Sequence, residues 1–311
     1  DSGLEQPVYR TGKQNVKVQS VVVDEIIYFS GNIELPGVGF DNKKYKFDYW
    51  FGGAGTEGTV AVGGSLIVFI QDNTAKSEIR DQVHLFADNL DVTADTKVLN
   101  VVVSAAGGNA EKFGLEGTFT LITVNNQTLA QILNGARVVV PGNLVVRAND
   151  QTYIVNISGV ITVSENTGVG ATGSYNGLSR DTRAVIGILP DSADGGKPTG
   201  DDLTVSAGDV LVQAQNDGFI ISLAVAGAVS KEKKTPKEGD EKQAPQNGGS
   251  YGVGVSGEVV INNVQDEVLA YIRQAALQST NLVITAHNRT LVVAVGGSAA
   301  IVTKDGKSTG L

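Results

Sequence analysis

The sequence has no cysteine, no methionine, a single tryptophan and only 7 prolines. Without cysteine there can be no disulfide framework, no thiolate metal site and no cysteine nucleophile. Charged side chains make up 18 % of the chain, below the usual ~25 %, and they sum to a net charge of −9. An acidic chain repels a polyphosphate backbone, and no lysine or arginine stripe interleaved with aromatics offsets that, so nucleic acid is not expected as a partner. The apolar runs are short, Leu66 to Ile70 being typical, and none approaches the roughly 18 residues that cross a bilayer as a helix. The chain begins at Asp1 with no basic and then apolar leader, and reads as a piece of a longer chain.

Glycine is the residue in excess. There are 39 among 311 residues, against a usual ~7 %, and without collagen's strict period they point to many turns. A 41 % share of hydrophobic residues and a mean hydropathy of +0.01 supply enough apolar side chain for a sizeable core.

One short pattern recurs along the chain: Asn or Asp, an apolar residue, any residue, Val or Ile, any residue, then a small one. Its copies start at Asn15, Asn89, Asn143, Asp209 and Asn281 and end at Ser20, Ala94, Ala148, Ala214 and Ala286, with spacings of 74, 54, 66 and 72. Upstream of the last four stands a second element, a small residue and Ile two apart: Ser77 and Ile79, Ala130 and Ile132, Ala184 and Ile186, Ala270 and Ile272. Downstream come apolar strands such as Tyr153 to Ile157 and a Gly, Ala and Ser stretch such as Ala105 to Gly108. The array is expected to continue on both sides.

The physical reading of one unit is strand, turn, strand. In Leu144 to Ala148 the alternate members Leu144, Val146 and Ala148 share one face, which is expected to be buried. The Asn or Asp ahead of each copy is expected to be a turn residue bonding its own backbone. Units that cannot bury a face alone must stack, which is the logic of a solenoid. The expectation is an all-β fold, a parallel β-helix of about five degenerate repeats in one repetitive domain spanning 1–311. Coils of roughly 20 residues at ~4.8 Å spacing would give some 13 to 15 coils in a rod ~60 to 70 Å long. The alternative is a row of antiparallel β-sandwich domains, disfavoured because such domains need near-constant unit lengths. Asp266 to Gln278 scores as helix by propensity, but by analogy with Thr128 to Val140 it is read as strand, turn, strand. Two insertions are expected to be loops: 191–202, and the charged stretch 231–249, whose Lys231 to Asn247 is nearly free of apolar residues.

Few residues suggest chemistry. The only histidines, His84 and His287, lie in no nucleophile elbow or metalloprotease spacing. Asp191, Asp194, Asp201 and Asp202 cluster in sequence and could hold Ca²⁺, yet fit no known calcium-loop spacing and read as solvated loop acids. The aromatic group Tyr45, Phe47, Tyr49, Trp50 and Phe51 is expected to pack a core or cap a coil. Sequons stand at Asn126, Asn156 and Asn288. No catalytic, cofactor-binding or metal-binding residues are assigned, and no cofactor is implied.

The cadence of these elements, best seen over Leu129 to Val155 and Gly252 to Ala299, resembles the repetitive shafts of large bacterial filamentous adhesins, the filamentous haemagglutinin-like and leukotoxin-type surface proteins. The resemblance implies a right-handed parallel β-helix, exported unfolded, secreted or displayed on a bacterial surface, without catalytic residues. Its implied partners are a host or bacterial surface receptor, protein or glycan, and flanking repeats of the same chain. The alternative from another class is a polysaccharide-processing or carbohydrate-binding β-helix protein, which would need acidic and aromatic side chains converging in one groove.

Overall fold

A computed structural model describes residues 14–33, 60–110, 112–188, 203–231, 252–304 and 307–310. All regular elements among them are strands. Sheet A contains β1 (Asn15–Ile33), β4 (Asn89–Ala110), β6 (Arg137–Ser164), β8 (Leu203–Lys231) and β11 (Asn281–Lys304), in that order, and ends on β12 (Lys307–Gly310). Sheet B contains β2 (Val60–Ile79), β5 (Phe113–Ile132), β7 (Thr167–Gly187) and β9 (Val253–Arg273), in that order. The short strands β3 (His84–Phe86) and β10 (Ala275–Gln278) pair with the beginnings of β6 and β8.

The chain alternates between the sheets, and all pairings within each sheet are parallel except β11 with β12. This is a parallel β-solenoid. Each coil is one long strand of sheet A backed by one long strand of sheet B, with β3, β10 and the first residues of β6 and β8 forming a short third face. Each strand of sheet A hands over at its end to one of sheet B, as at Ala110 and Phe113, so the two sheets run in opposite directions. Coils leave sheet B through a left-handed residue: Gln82 at φ 61°, Gly135 at 82°, Gly187 at 110° and Gln274 at 54°. The segment with helical propensity accordingly forms strand β9, a turn at Gln274 and strand β10.

The repeat is the coil. Asn15 stands beside Asn89, Leu90 beside Leu144, Asn143 beside Asp209 and Asp209 beside Asn281, so the pattern stacks on itself layer after layer. In sheet B Ser77, Ala130, Ala184 and Ala270 are aligned in the same way, as are Ile79, Ile132, Ile186 and Ile272.

This corrects the expected coil of roughly 20 residues. One repeat forms one coil rather than three, and the long dimension lies along the strands: the 22 residues of β4 span about 70 Å at ~3.3 Å per residue. The five long strands of sheet A stack across only ~20 Å at ~4.8 Å per spacing. The physical reason is that the Gly and Ala stretches are not corners. Ala105 to Gly108 and Gly296 to Ser298 lie inside β4 and β11, where small side chains let strands and sheets approach.

Alternation decides the interior. Even-numbered residues of β4, β6, β5 and β7 point between the sheets, as do those of β8 from Val210 on, while Leu203 and Val205 are the inward residues at its start. At the end near the short face they form an aliphatic cluster around Leu90, Val92, Ile132, Leu144, Val146 and Ile186. Each such buried side chain contributes about 1.5–3 kcal/mol relative to exposure. A second cluster, with Val102, Ile122, Ile154 and Ile220, lies farther along the slab. Residues 191–202 and most of 231–249 lie outside the described residues, as does the aromatic group from Tyr45 to Phe51.

Candidate functional site

The polar groups that the fold organises are ladders running from coil to coil. The first stands at the corner where the chain enters sheet A. Asn89 donates from Nδ2 to Asn15 Oδ1 at 2.8 Å and accepts at Oδ1 from the backbone N–H of Asn143 at 2.9 Å. Asn281 Nδ2 donates to Asp209 Oδ1 at 2.8 Å. The Asn or Asp of the repeat therefore bonds the neighbouring coil, where the expectation was its own backbone. The side chain lies along the stacking axis, and each copy meets its counterpart one layer away. Gly142 precedes Asn143 because this corner is crowded: a Cβ there would meet the Asp88 carbonyl oxygen at 2.5 Å.

The second feature is an ionic cross-brace between the sheets. Arg180 of β7 is fully buried and donates from Nε and Nη2 to Asp266 of β9 at 2.8 and 2.6 Å. Its Nη1 donates to the Asp217 carbonyl at 3.1 Å and stands 3.5 Å from Asp150 Oδ1, while Nη2 also donates to Thr290 Oγ1. Asp150 further accepts from Asn126 Nδ2 at 2.8 Å and from Thr152 Oγ1 at 2.6 Å. Burial pushes the Asp150 carboxyl above the usual aspartate range, more than its hydrogen bonds and Arg180 pull it down. Burial also acts to raise Asp266, but the hydrogen bonds and charge of Arg180, with Thr290, outweigh it and hold that carboxyl below its ordinary value. A guanidinium enclosed by two carboxylates and a carbonyl has no open side for a substrate, and the cluster pegs the layers in register.

The third is Glu116 of β5, 2 % exposed and pointing between the sheets with no hydrogen-bond partner for Oε1. It fits because Gly63 and Gly108 face it, and a methyl group at either would overlap its carboxyl oxygens. Burial pushes its pKa up to about 7.

The residues singled out in the sequence are dispersed. His84 and His287 are both exposed, at opposite ends of the stack, and His287 points outward beside Gln215. Asp191, Asp194, Asp201 and Asp202 lie outside the described residues. Among the described residues, no group of three or more His, Asp or Glu stands close enough to hold a metal ion. Of the sequons, Asn126 and Asn156 are buried between the sheets and Asn288 is exposed. A shallow depression of about 240 Å³ on the outer face of sheet B lies over Gly173, walled by Phe119, Leu121, Tyr175, Val259 and Ile261. Arg180 and Glu116 drew no notice in sequence. The one available signal was a charged residue at an inward place of an alternating strand, which can be read only once the register is known.

No protein-family profile, curated protein or solved structure matches this chain.

Proposed function

We propose that this chain is a non-enzymatic structural and adhesive segment of a large bacterial protein, secreted or displayed at the cell surface. The observation that carries the reading is the like-on-like stacking of whole repeats, each adding one parallel coil held by an Asn or Asp ladder and an aliphatic ladder. Such a unit extends by addition. Every further repeat in the same register lengthens the stack by ~4.8 Å and gives each coil the neighbour it needs to bury its inner face. Tightly enclosed polar groups such as Arg180 spend their hydrogen bonds on holding layers together, the role expected of a shaft that bears load between a cell and a surface. The cysteine-free composition and the resemblance to filamentous adhesin shafts point the same way.

The test is attachment. Beads coated with the purified chain, and beads coated with an unrelated β-rich protein of equal charge, are applied under flow to epithelial cells, to bacterial biofilm and to a glycan array. Retention above the control on at least one of these supports an adhesive segment. Equal retention on all of them overturns it, and release of reducing sugar from arrayed polysaccharides would overturn the non-enzymatic reading.

A further inference from the structure

Along the slab the outer face of sheet A changes character, and polar groups enter the interior. Near the short face the interior is aliphatic and the outer face of sheet A carries Asp91, Asp95, Lys97, Arg147 and Gln213. Beyond the Arg180 brace, toward the turns that lead from sheet A into sheet B, the interior mixes hydroxyls and amides with the second aliphatic cluster. Ser104, Thr118, Thr120, Asn156, Ser158 and Thr172 are all buried there. Over the same stretch the outer face of sheet A becomes apolar in successive rows across the strands. Leu99, Tyr153, Phe219 and Leu291 form one row, and Val103, Ile157, Leu223 and Val295 another. Ile161 is 49 % exposed, Val225 47 % and Leu291 58 %.

This apolar zone is large. About ten residues of strand length at ~3.3 Å, across five strands at ~4.8 Å, make a face of roughly 33 by 24 Å, on the order of 800 Å². That equals what one partner buries in a standard stable protein interface, and it exceeds the few hundred Å² that soluble monomers leave exposed.

We infer that this face of sheet A is covered by the same face of a second copy of the chain, packed sheet on sheet. The area of the face, matching one side of a standard stable interface, favours a second copy, and one further observation disfavours lipid. Lys112 is exposed at the turn into β5, at the tip of the apolar zone, where insertion would bury its charge. The outer face of sheet B is apolar over the matching stretch, with Val62, Leu66, Val68 and Ile70 all more than half exposed. Association through sheet A therefore leaves a second adhesive side, and copies line up into lateral rows. The inference does not depend on the adhesive role.

The absence of cysteine makes the test direct. Ile161→Cys and Gln213→Cys each place a lone thiol on the outer face of sheet A, one in the apolar zone and one in the polar zone. With a bismaleimide linker, the first is expected to give mostly covalent dimer at micromolar concentration and the second to remain monomer. Light scattering of the wild-type chain is expected to give a mass above 32.3 kDa that rises with concentration, and Ile161→Lys combined with Val225→Lys is expected to reduce it at least tenfold in association constant. If the lysine variant fails to fold, the crosslinking comparison decides. A wild-type monomer at all concentrations overturns the inference, as does equal crosslinking at both sites. So does monomeric protein floating with phosphatidylcholine and phosphatidylglycerol vesicles, which would assign the face to lipid.

Discussion

Arg180 of one coil grips Asp266 of the next through two parallel hydrogen bonds of 2.8 and 2.6 Å, at a place where the arginine side chain is 0 % and the aspartate 5 % exposed. The pair sits where the aliphatic interior near the short face gives way to one that mixes hydroxyls and amides with a second aliphatic cluster.

Removing the cation leaves two buried carboxylates without a compensating charge, held only by neutral donors such as Asn126, Thr152 and Thr290. Arg180→Met is expected to destabilise the chain by about 3–5 kcal/mol, read as a lower denaturation midpoint at constant m-value. The pH dependence has a definite sign. Asp266 is held below its ordinary value of 3.8, so its stabilisation is present above 3.8 and is lost as pH falls through the lower, folded-state value. In Arg180→Met this part of the acid sensitivity is expected to vanish, which a urea titration at several pH values between 2 and 5 would measure.

Glu116 works in the opposite direction. Its carboxyl is raised from 4.5 to about 7, so the folded chain holds its proton over that interval while the unfolded chain releases it, and stability falls as pH rises through it. Glu116→Gln keeps the shape and removes the charge. The variant is expected to melt higher than wild type at pH 8 and at the same temperature below the unfolded value of 4.5, at about pH 3.5. A wild type and variant that melt together at pH 8 would show that the carboxyl is not sensed.

The corner ladder is expected to contribute through both of its bonds. Asn89 links to Asn15 and Asn143, and Asn89→Ala is expected to cost about 1–2 kcal/mol, the usual loss for one or two modest hydrogen bonds. Gly142→Ala is expected to cost more, because its Cβ would lie 2.5 Å from the Asp88 carbonyl oxygen and backbone must move. Chemical denaturation of the two variants side by side checks the order.

Glycosylation separates the three sequons. Expressed through a glycosylating secretory pathway, the folded chain is expected to carry glycan at Asn288 only, since Asn126 and Asn156 are buried. Peptide mass spectrometry gives the occupancy, and a glycan on Asn126 in folded protein would contradict the buried bonds it donates to Asp150 and Thr152.

The sequence by itself determined the repeat, the strand content and the inward face. Period-two alternation in Leu144, Val146 and Ala148 requires a half-buried strand, and a unit with one greasy face has to stack on its neighbours, so a parallel solenoid follows from local pattern and elementary burial. The length of the coil was decided elsewhere. Glycine signals a turn in one context and a close approach in another, and only the packed sheets show that Gly108 clears space for Glu116 instead of turning a corner. The Asn ladder and the Arg180 brace join residues of different strands, at separations of 24 to 110 positions. No local pattern encodes such distances. They are fixed when one register, out of several that alternation alone permits, lets the aliphatic ladders close and the buried charges meet.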